Sequence, residues 1–582
     1  MHLTLILVSG VVSLVVVAAF AERLGLAAPL LLVVVGAGMG FVPGMPAVQV
    51  DPEWILAGIL PPLLYATAIT MPANDFRRNI RAISGLAVLL VVATTLISGL
   101  LLHTLVPGLD WPVAFAVGAV ISPTDAVAAT SVGRRLGLPS RLLTLLEGEG
   151  LVNDASALVL LRAAIAAMAA SVSIWDITLE FVYSVVLASV IGAVLGQVNV
   201  RLRALLDDPV LNTAIALVVP FMAYLPAEEL GASGVLAVVV TGVLTGHHGP
   251  RFLGAADRLA ESTNWRTLAF LLEGTVFLTM GLALKPLIDQ VEAEHLSLGD
   301  SLLIGLAAAV LVVVVRIAFT APLVAMLHLG ERRAAGARPR LHRLQEGLDN
   351  GAFDERLSDH RKQRVQQRLT RAAADVQFQV SQGLGWRSGA VLAWAGMRGA
   401  ITVAAAQTLP DDTPYRPQLI LIAFVVAATT LLVQGLTLPT VIAAAKVPGD
   451  DAARLRRDYE RLLTEMSRSG QDALTSETRN AADEGRPVDD GVLERVRADS
   501  SIRDRTISAE SADDLPEEET ASADAREQYR SLRLRVIDAQ RGTLWAARSD
   551  GTYDSAILER VQHALDREEL SLQPLGGDLD RD

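Results

Sequence analysis

Apolar runs of bilayer length constrain this chain more than any other feature. Residues 7–20 read "LVSGVVSLVVVAAF" and residues 302–319 read "LLIGLAAAVLVVVVRIAF". Backbone buried in lipid must satisfy its own hydrogen bonds, so a spanning segment is a helix or part of a closed barrel. About 20 apolar residues match a helix crossing the hydrocarbon core, and about thirteen such segments recur before residue 445. Their approximate limits are 3–21, 26–42, 54–72, 82–106, 111–133, 143–170, 177–200, 210–225, 230–247, 266–286, 301–328, 388–409 and 416–443. The expected fold class is an all-α polytopic membrane protein with an α-helical cytoplasmic tail. The apolar start could be a signal peptide ending at Ala19-Phe20-Ala21, but no Lys or Arg precedes it, so an uncleaved first helix is expected.

Charge divides the chain further. Cytoplasmic loops of membrane proteins are enriched in Lys and Arg. One set of connections holds Arg23, then Arg77, Arg78 and Arg81, then Arg134, Arg135 and Arg141, then Arg201 and Arg203, then Arg251, Arg258 and Arg266, then the Arg-rich 331–387 stretch. The opposite set holds Lys285 and Arg416 beside Glu228, Glu229, Asp411 and Asp412. This asymmetry predicts an outside amino terminus and a cytoplasmic carboxyl terminus. Residues 1–445 form the membrane domain, with a charged insertion at 331–385; residues 446–582 form the tail. Within the insertion, "DERLSDHRKQRVQQRLTRAAADV" is expected to be helical. In the tail, "SAESADDLPEEETASADA" has the composition of disorder. Beyond it Tyr529, Leu532 and Val536 share a helix face and a second helix covers 553–571, a two-helix cap. The net charge of -13 comes largely from the tail and argues against nucleic-acid binding. With no cysteine, disulfides, thiolate metal sites and cysteine nucleophiles are excluded, and no cofactor is expected.

Three stretches put polar groups where lipid or protein interior is expected. "LEGEGLVNDASALVL" at 146–160 carries Glu147, Glu149 and Asp154. An ionised carboxylate at the bilayer centre costs at least ~3 kcal/mol, so such acids are functional by default. Asp154 and Glu149 lie five residues apart, about 140° around a helix, and face different surroundings. Glu149 suits a structural pair with Arg316, which lies inside an apolar run and needs a counter-charge. Asp154 is the functional candidate.

In "ISPTDAVAATS" at 121–131, Pro123 removes a backbone donor and should break the helix. Broken helices inside a membrane line a cavity or pack in protein, and their freed carbonyls can ligate cations. Asp125 follows the break, with Thr124 and Ser122 supplying oxygens. The simpler alternative is a proline kink with an incidental acid. In "AWAGMRGAITVAAA" at 393–406, Gly396, Arg398 and Gly399 disturb another span. Inverted-repeat transporters require a second broken helix facing the first, and Arg398 could offset the negative ends of the unwound segments. Close packing at the glycines would also account for this stretch.

Six motifs in this order resemble the sodium/proton exchanger (NhaP/NHE) branch of the monovalent cation:proton antiporters. They are "LPPLLYATA" at 60–68, "SPTDAVA" at 122–128, "GEGLVNDASALV" at 148–159, "LEGTVFLTMGL" at 272–282, Arg316, and "GMRGAITVA" at 396–404. The tail resembles that of a bacterial subset of the family. The resemblance implies inverted repeats, a core domain with two crossing unwound helices in spans five and twelve, and a dimer domain from spans one to three and seven to ten. It implies a homodimer in the plasma membrane. It makes Asp154 the ion-binding carboxylate, with Asn153 before it, Asp125 and the Thr124 carbonyl completing a Na⁺ site, and Glu149 paired with Arg316. In this branch an Asn-Asp pair accompanies electroneutral exchange. Two positions depart from the family: Gly150 stands where many relatives have Ser, and Ala66 where some have an acid. Selectivity between Na⁺, K⁺ and Li⁺ is therefore open.

The implied mechanism is competition, one carboxylate holding either a cation or a proton during alternating access, in the service of pH and sodium homeostasis. Hard oxygen ligands suit an alkali cation. A K⁺/H⁺ antiporter of the same fold is the nearest alternative. A cation channel would need a filter-like ring, and an intramembrane aspartyl protease would pair two acids around one proton; neither pattern stands out.

Overall fold

The computed structural model describes residues 2–43, 51–169, 174–206, 208–349, 359–486, 488–500 and 523–572. Every described element is helical: α1 (His2–Leu24), α2 (Ala28–Gly40), α3 (Leu60–Thr70), α4 (Ala73–Ser84), α5 (Val91–Leu105), α6 (Trp111–Ile121), α7 (Val127–Arg135), α8 (Ser140–Ala169), α9 (Ile174–Arg203), α10 (Pro209–Glu229), α11 (Gly234–Phe252), α12 (Ala255–Leu282), α13 (Leu284–Ala293), α14 (Leu298–Asp349), α15 (Asp359–Ser381), α16 (Trp386–Trp394), α17 (Ile401–Gln407), α18 (Arg416–Ala445), α19 (Ala452–Asp483), α20 (Asp490–Ser500), α21 (Ala523–Asp550) and α22 (Ser555–Ser571). Among the described residues each of the apolar stretches read from sequence is built of helix, interrupted within 111–133 and 388–409. Among the described residues seven helices are long and apolar enough to cross a membrane, and four shorter apolar helices accompany them.

Two sequence expectations are corrected. The helix assigned to 82–106 begins at Ala73 and runs through a π-helical turn at Gly85–Leu90. Its first turns are amphipathic, with Asp75, Asn79, Ala82 and Ile83 buried, so Arg77, Arg78 and Arg81 sit on helix rather than in a loop. Arg141 and Arg203 are not solvated loop charges either. Arg141 is buried and donates to Asn79 Oδ1 (3.0 Å), Glu331 Oε1 (3.1 Å) and the Gln382 carbonyl (2.7 Å). Arg203 is buried against Glu261 (2.7 Å).

The chain divides into two compact units. The first comprises residues 1–252, 260–333 and 380–449. Its larger apolar cluster joins α2, α4 to α8, α12 to α14 and α16 to α18, and Val117, Ile121, Leu142, Val312, Val391 and Ile422 lie inside it. A smaller cluster gathers Tyr65 and Ala68 of α3, Ala223 of α10, Val238 of α11 and Trp265 of α12. The rings of Tyr65 and Trp265 lie 4.9 Å apart. Leu151 and Ala155 of α8 belong to this second cluster while Leu145 and Leu146 belong to the first, so α8 is buried on both sides.

The second unit comprises residues 253–259, 334–379 and 450–582. Its tail part is richer than the expected two-helix cap. α19 and α20 pack with α21 and α22 through Leu462, Met466, Leu544, Leu558 and Val561 in one cluster and Leu474, Val496, Leu532 and Val536 in another. These apolar positions are spaced along helices so rich in Arg, Asp and Glu that their stripes are narrow, which is why α19 and α20 escaped the sequence reading. Arg533 is fully buried, donating to Ser500 Oγ (3.0 Å) and the Asp499 carbonyl (2.8 Å) and pairing with Glu568. Of the insertion helix predicted over 354–376, residues 359–376 lie in α15; residues 354–358, like the stretch expected to be disordered apart from its last three residues, lie outside the described residues.

Candidate functional site

The site is built on two interrupted helices. α6 ends at Ile121 and α7 starts at Val127, leaving 122–126 without helical hydrogen bonding around Pro123. α16 ends at Trp394 and α17 starts at Ile401, leaving 395–400 open. The two gaps touch: the Asp125 amide donates to the Met397 carbonyl at 2.7 Å. Gly399 makes this approach possible, because a Cβ there would stand 2.2 Å from Asp125 Oδ2. Gly396 is equally constrained, since a Cβ would meet the Arg316 guanidinium at 2.1 Å.

Interrupted helices leave carbonyls without partners, and uncompensated carbonyl ends repel electrons and attract cations. Arg398 answers this directly. It is buried, and its guanidinium donates to the carbonyls of Ile121 (3.1 Å), Ser122 (3.5 Å) and Gly396, drawn from both gaps. Its own amide donates to Thr430 Oγ1 (3.2 Å) of α18. The Ser122 hydroxyl is turned back onto the Ala119 carbonyl (2.8 Å) and away from the crossing.

α8 passes beside the first gap and presents two acids with different fates. Glu149 receives both terminal nitrogens of Arg316, Nη2 at 2.9 Å from Oε2, and accepts the Thr124 hydroxyl at 2.7 Å. Arg316 also donates to the Leu392 carbonyl (3.0 Å) at the end of α16, so one buried ion pair links α8, α14, α16 and the α6–α7 gap. Asn153 donates through Nδ2 to the Thr124 carbonyl (2.8 Å) and to Thr124 Oγ1 (2.9 Å). Its Oδ1 is buried and has no partner.

Asp154 is buried, and among the described residues it has neither an ion pair nor a hydrogen bond; the charge acting on it is that of Asp125. Asp125 accepts the Val127 amide at 2.8 Å through Oδ1, capping α7. Asp125 beside the unwound backbone and Asp154 on α8, the latter without any donor among the described residues, are therefore two carboxylates within electrostatic reach of each other. Such a pair is expensive when both are ionised and neither is neutralised. A proton or a small cation relieves that cost. Among the described residues no cluster of three or more His, Cys, Asp or Glu has metal-site geometry.

The residues singled out from sequence converge here: Asp154, Asp125, Asn153, Thr124, Glu149, Arg316 and Arg398 all contact the two gaps or the helix beside them. Glu147 does not join them, pairing instead with Arg134 at a more exposed position. One acid was quoted in a motif without a role. Glu273 on α12 is half-buried, and the charge of Asp125 acts on it. Its position inside an apolar helix was the available signal.

Comparison with known proteins agrees with this architecture. The family described as "Sodium/hydrogen exchanger, transmembrane" matches residues 10–444. An uncharacterized Na⁺/H⁺ exchanger of Mycobacterium bovis is 29% identical over 97% of this chain and 96% of that protein. The Na⁺/H⁺ antiporter ApNhaP of Aphanothece halophytica is 30% identical over 75% of this chain and 73% of that one. The solved structure of the sodium proton antiporter MjNhaP1 from Methanocaldococcus jannaschii superposes with a TM-score of 0.53 at 18% identity, covering 76% of this chain and 99% of that structure, which shows a shared multi-span helical fold. With the family match running through every helix that builds the site, this chain belongs to the sodium/hydrogen exchanger family of secondary transporters.

Proposed function

We propose that this chain exchanges Na⁺ for H⁺ one for one, and that Asp154 is the carboxylate the two ions share in turn. The observation that carries this reading is the contrast on α8: Glu149 is fully neutralised by Arg316, while Asp154 is buried beside Asp125 with no partner. A buried carboxylate in that position needs a cation or a proton to be stable. It cannot hold both, and this exclusion is the coupling.

Asp125 and the second lone pair of the Thr124 carbonyl supply further hard oxygens for an alkali cation. Asn153 positions Thr124 through its two donations and adds no charge, in keeping with electroneutral exchange. Arg398 and the Glu149–Arg316 pair act structurally, holding the gaps open without sharing the ion. Inverted repeats, alternating access, a homodimer, thirteen membrane crossings, and an outside amino terminus in the plasma membrane belong to the same proposal, supported by the family and the likeness in fold. So does a role in pH and sodium homeostasis.

The test is reconstitution in liposomes with internal pH followed as Na⁺, K⁺ or Li⁺ is added. Wild-type protein is expected to move protons with Na⁺ in a manner independent of membrane potential, and Asp154→Asn is expected to show none of this while reconstituting normally. Exchange at the wild-type rate in that variant would end the proposal; a potential-dependent wild-type signal would end its electroneutral part.

A further inference from the structure

The second compact unit holds a cavity of its own, about 480 Å³ in volume. Four helices line it, α14 and α15 from the insertion and α19 and α21 from the tail, together with Tyr553 in the turn after α21. α15 and α21 face it with alanines, Ala373 and Ala374 on one and Ala546 and Ala547 on the other. Side chains this small leave the space between the helices unfilled, where packed interiors keep few voids larger than a water molecule. The volume falls within the about 300–1,000 Å³ of small-ligand pockets.

The charges around the cavity are unequally committed. Arg461 and Glu465, one turn apart on α19, pair with each other at 3.1 Å. Asp550 at the end of α21 pairs with Arg371 of α15 at 3.6 Å. Two lining groups are left over: Arg338 of α14 and Asp458 of α19 have neither an ion pair nor a hydrogen bond among the described residues. Tyr553 is 8% exposed, and its hydroxyl lies beside Glu465 without a well-aligned hydrogen bond. An open guanidinium, an open carboxylate and a buried hydroxyl thus share one small-residue cavity. A phosphate-bearing ligand would meet one open cation among three acids, a bare cation would meet the guanidinium, and an apolar ligand would leave all three groups unanswered.

We propose that this cavity binds a small zwitterion of the α-amino-acid class, its carboxylate on Arg338 and its ammonium on Asp458. A guanidinium fork donates two parallel hydrogen bonds to a carboxylate, and an ammonium donates to an aspartate. The aliphatic part of the ligand lies against the alanines. Because the ligand holds the insertion helix α14 and the tail helix α19 at once, the stability of this unit follows the solute's concentration. The site is separate from Asp154 and does not depend on the antiport reading.

The test is calorimetric titration of the full-length protein in detergent with L-alanine, L-glutamine and L-phenylalanine. At least one is expected to bind saturably with Kd at or below ~1 mM. Its N-acetyl derivative, which lacks the ammonium, and the matching amine, which lacks the carboxylate, are each expected to bind at least tenfold more weakly. Arg338→Gln and Asp458→Asn are expected to weaken the zwitterion by at least tenfold, and Arg338→Lys, which keeps the charge but not the fork, by less. Ala374→Phe is expected to abolish binding by filling the cavity. Saturable binding by none of the three amino acids, equal binding of a singly charged derivative, or unchanged affinity in Arg338→Gln and Asp458→Asn overturns the proposal. Both of those positions lie outside the buried clusters of the unit, so their variants are expected to fold with the wild-type thermal midpoint when no ligand is present. Binding is read without transport, so its failure leaves the Asp154 reading untouched, and loss of exchange in Asp154→Asn says nothing about this cavity.

Discussion

Glu149 and Asp154 are two acids five residues apart on one helix, both buried, and the structure treats them in opposite ways. Glu149 is held by the Arg316 guanidinium and the Thr124 hydroxyl, so every charge it brings is answered. Asp154 has no ion pair and no hydrogen bond among the described residues, and the charge acting on it is that of a second acid, Asp125. The difference teaches that burial of a charge is not by itself a functional sign. Neutralised, a buried acid is architecture; without a partner, it is a candidate for binding a counter-ion.

The largest expected effect comes from upsetting the neutralised acid. Arg316→Ala strands Glu149, and breaking a buried pair by removing one partner costs ~3–5 kcal/mol. A collapse in folded yield is expected on detergent extraction and size-exclusion chromatography, while a double Glu149→Leu, Arg316→Met variant recovers most of it. Equal damage in single and double variants would show that Glu149 does more than balance Arg316.

A middle-sized effect is expected at Asn153, the link between the two fates. Replacing it by alanine removes two donations to Thr124, about 0.5–1.5 kcal/mol each, and frees the Thr124 segment. The thermal midpoint is expected to fall modestly and the apparent Na⁺ affinity to fall with it. An unshifted affinity would mean that the Thr124 carbonyl does not take part in ion binding.

The smallest effect is expected at Gly150, between the two acids. A Cβ there would lie 3.1 Å from the Ala126 Cβ and 3.8 Å from the Thr124 carbonyl, tight but adjustable. Gly150→Ser brings a hydroxyl to the edge of the site, and the change in apparent ion affinity is expected to stay below about tenfold, equivalent to ~1.4 kcal/mol. Transport measured against Na⁺ and Li⁺ separately checks it, and loss of folding would show that the helix crossing has no room for a side chain.

How much of this was legible in the sequence depended on whether a residue's meaning is local. Pro123 announces its break because the missing donor is a property of proline itself. Arg316 announces a partner because an unpaired guanidinium in an apolar run is untenable, and Glu149 was the acid left without another purpose. That Arg398 would offset the negative ends of unwound segments was readable, but which distant carbonyls it meets was not, since Ile121 and Ser122 lie 277 and 276 positions away in the chain. Nor was the pairing of Arg141 with Glu331, which are 190 positions apart; each looked like a solvated loop charge. α19 and α20 were hidden because their apolar stripes are thin, and a thin stripe buries only when partner helices close over it. Glu273 lay in plain sight, but its electrostatic interaction with Asp125 exists only in the folded chain.

The most direct measurement is proton release on cation binding. Purified protein in weakly buffered detergent solution, titrated with NaCl against a choline chloride control, is expected to release about one proton per chain, and Asp154→Asn is expected to release none while retaining its thermal midpoint. Sodium binding to the wild-type protein without proton release, or undiminished release from the variant, would contradict the claim that one aspartate serves both ions.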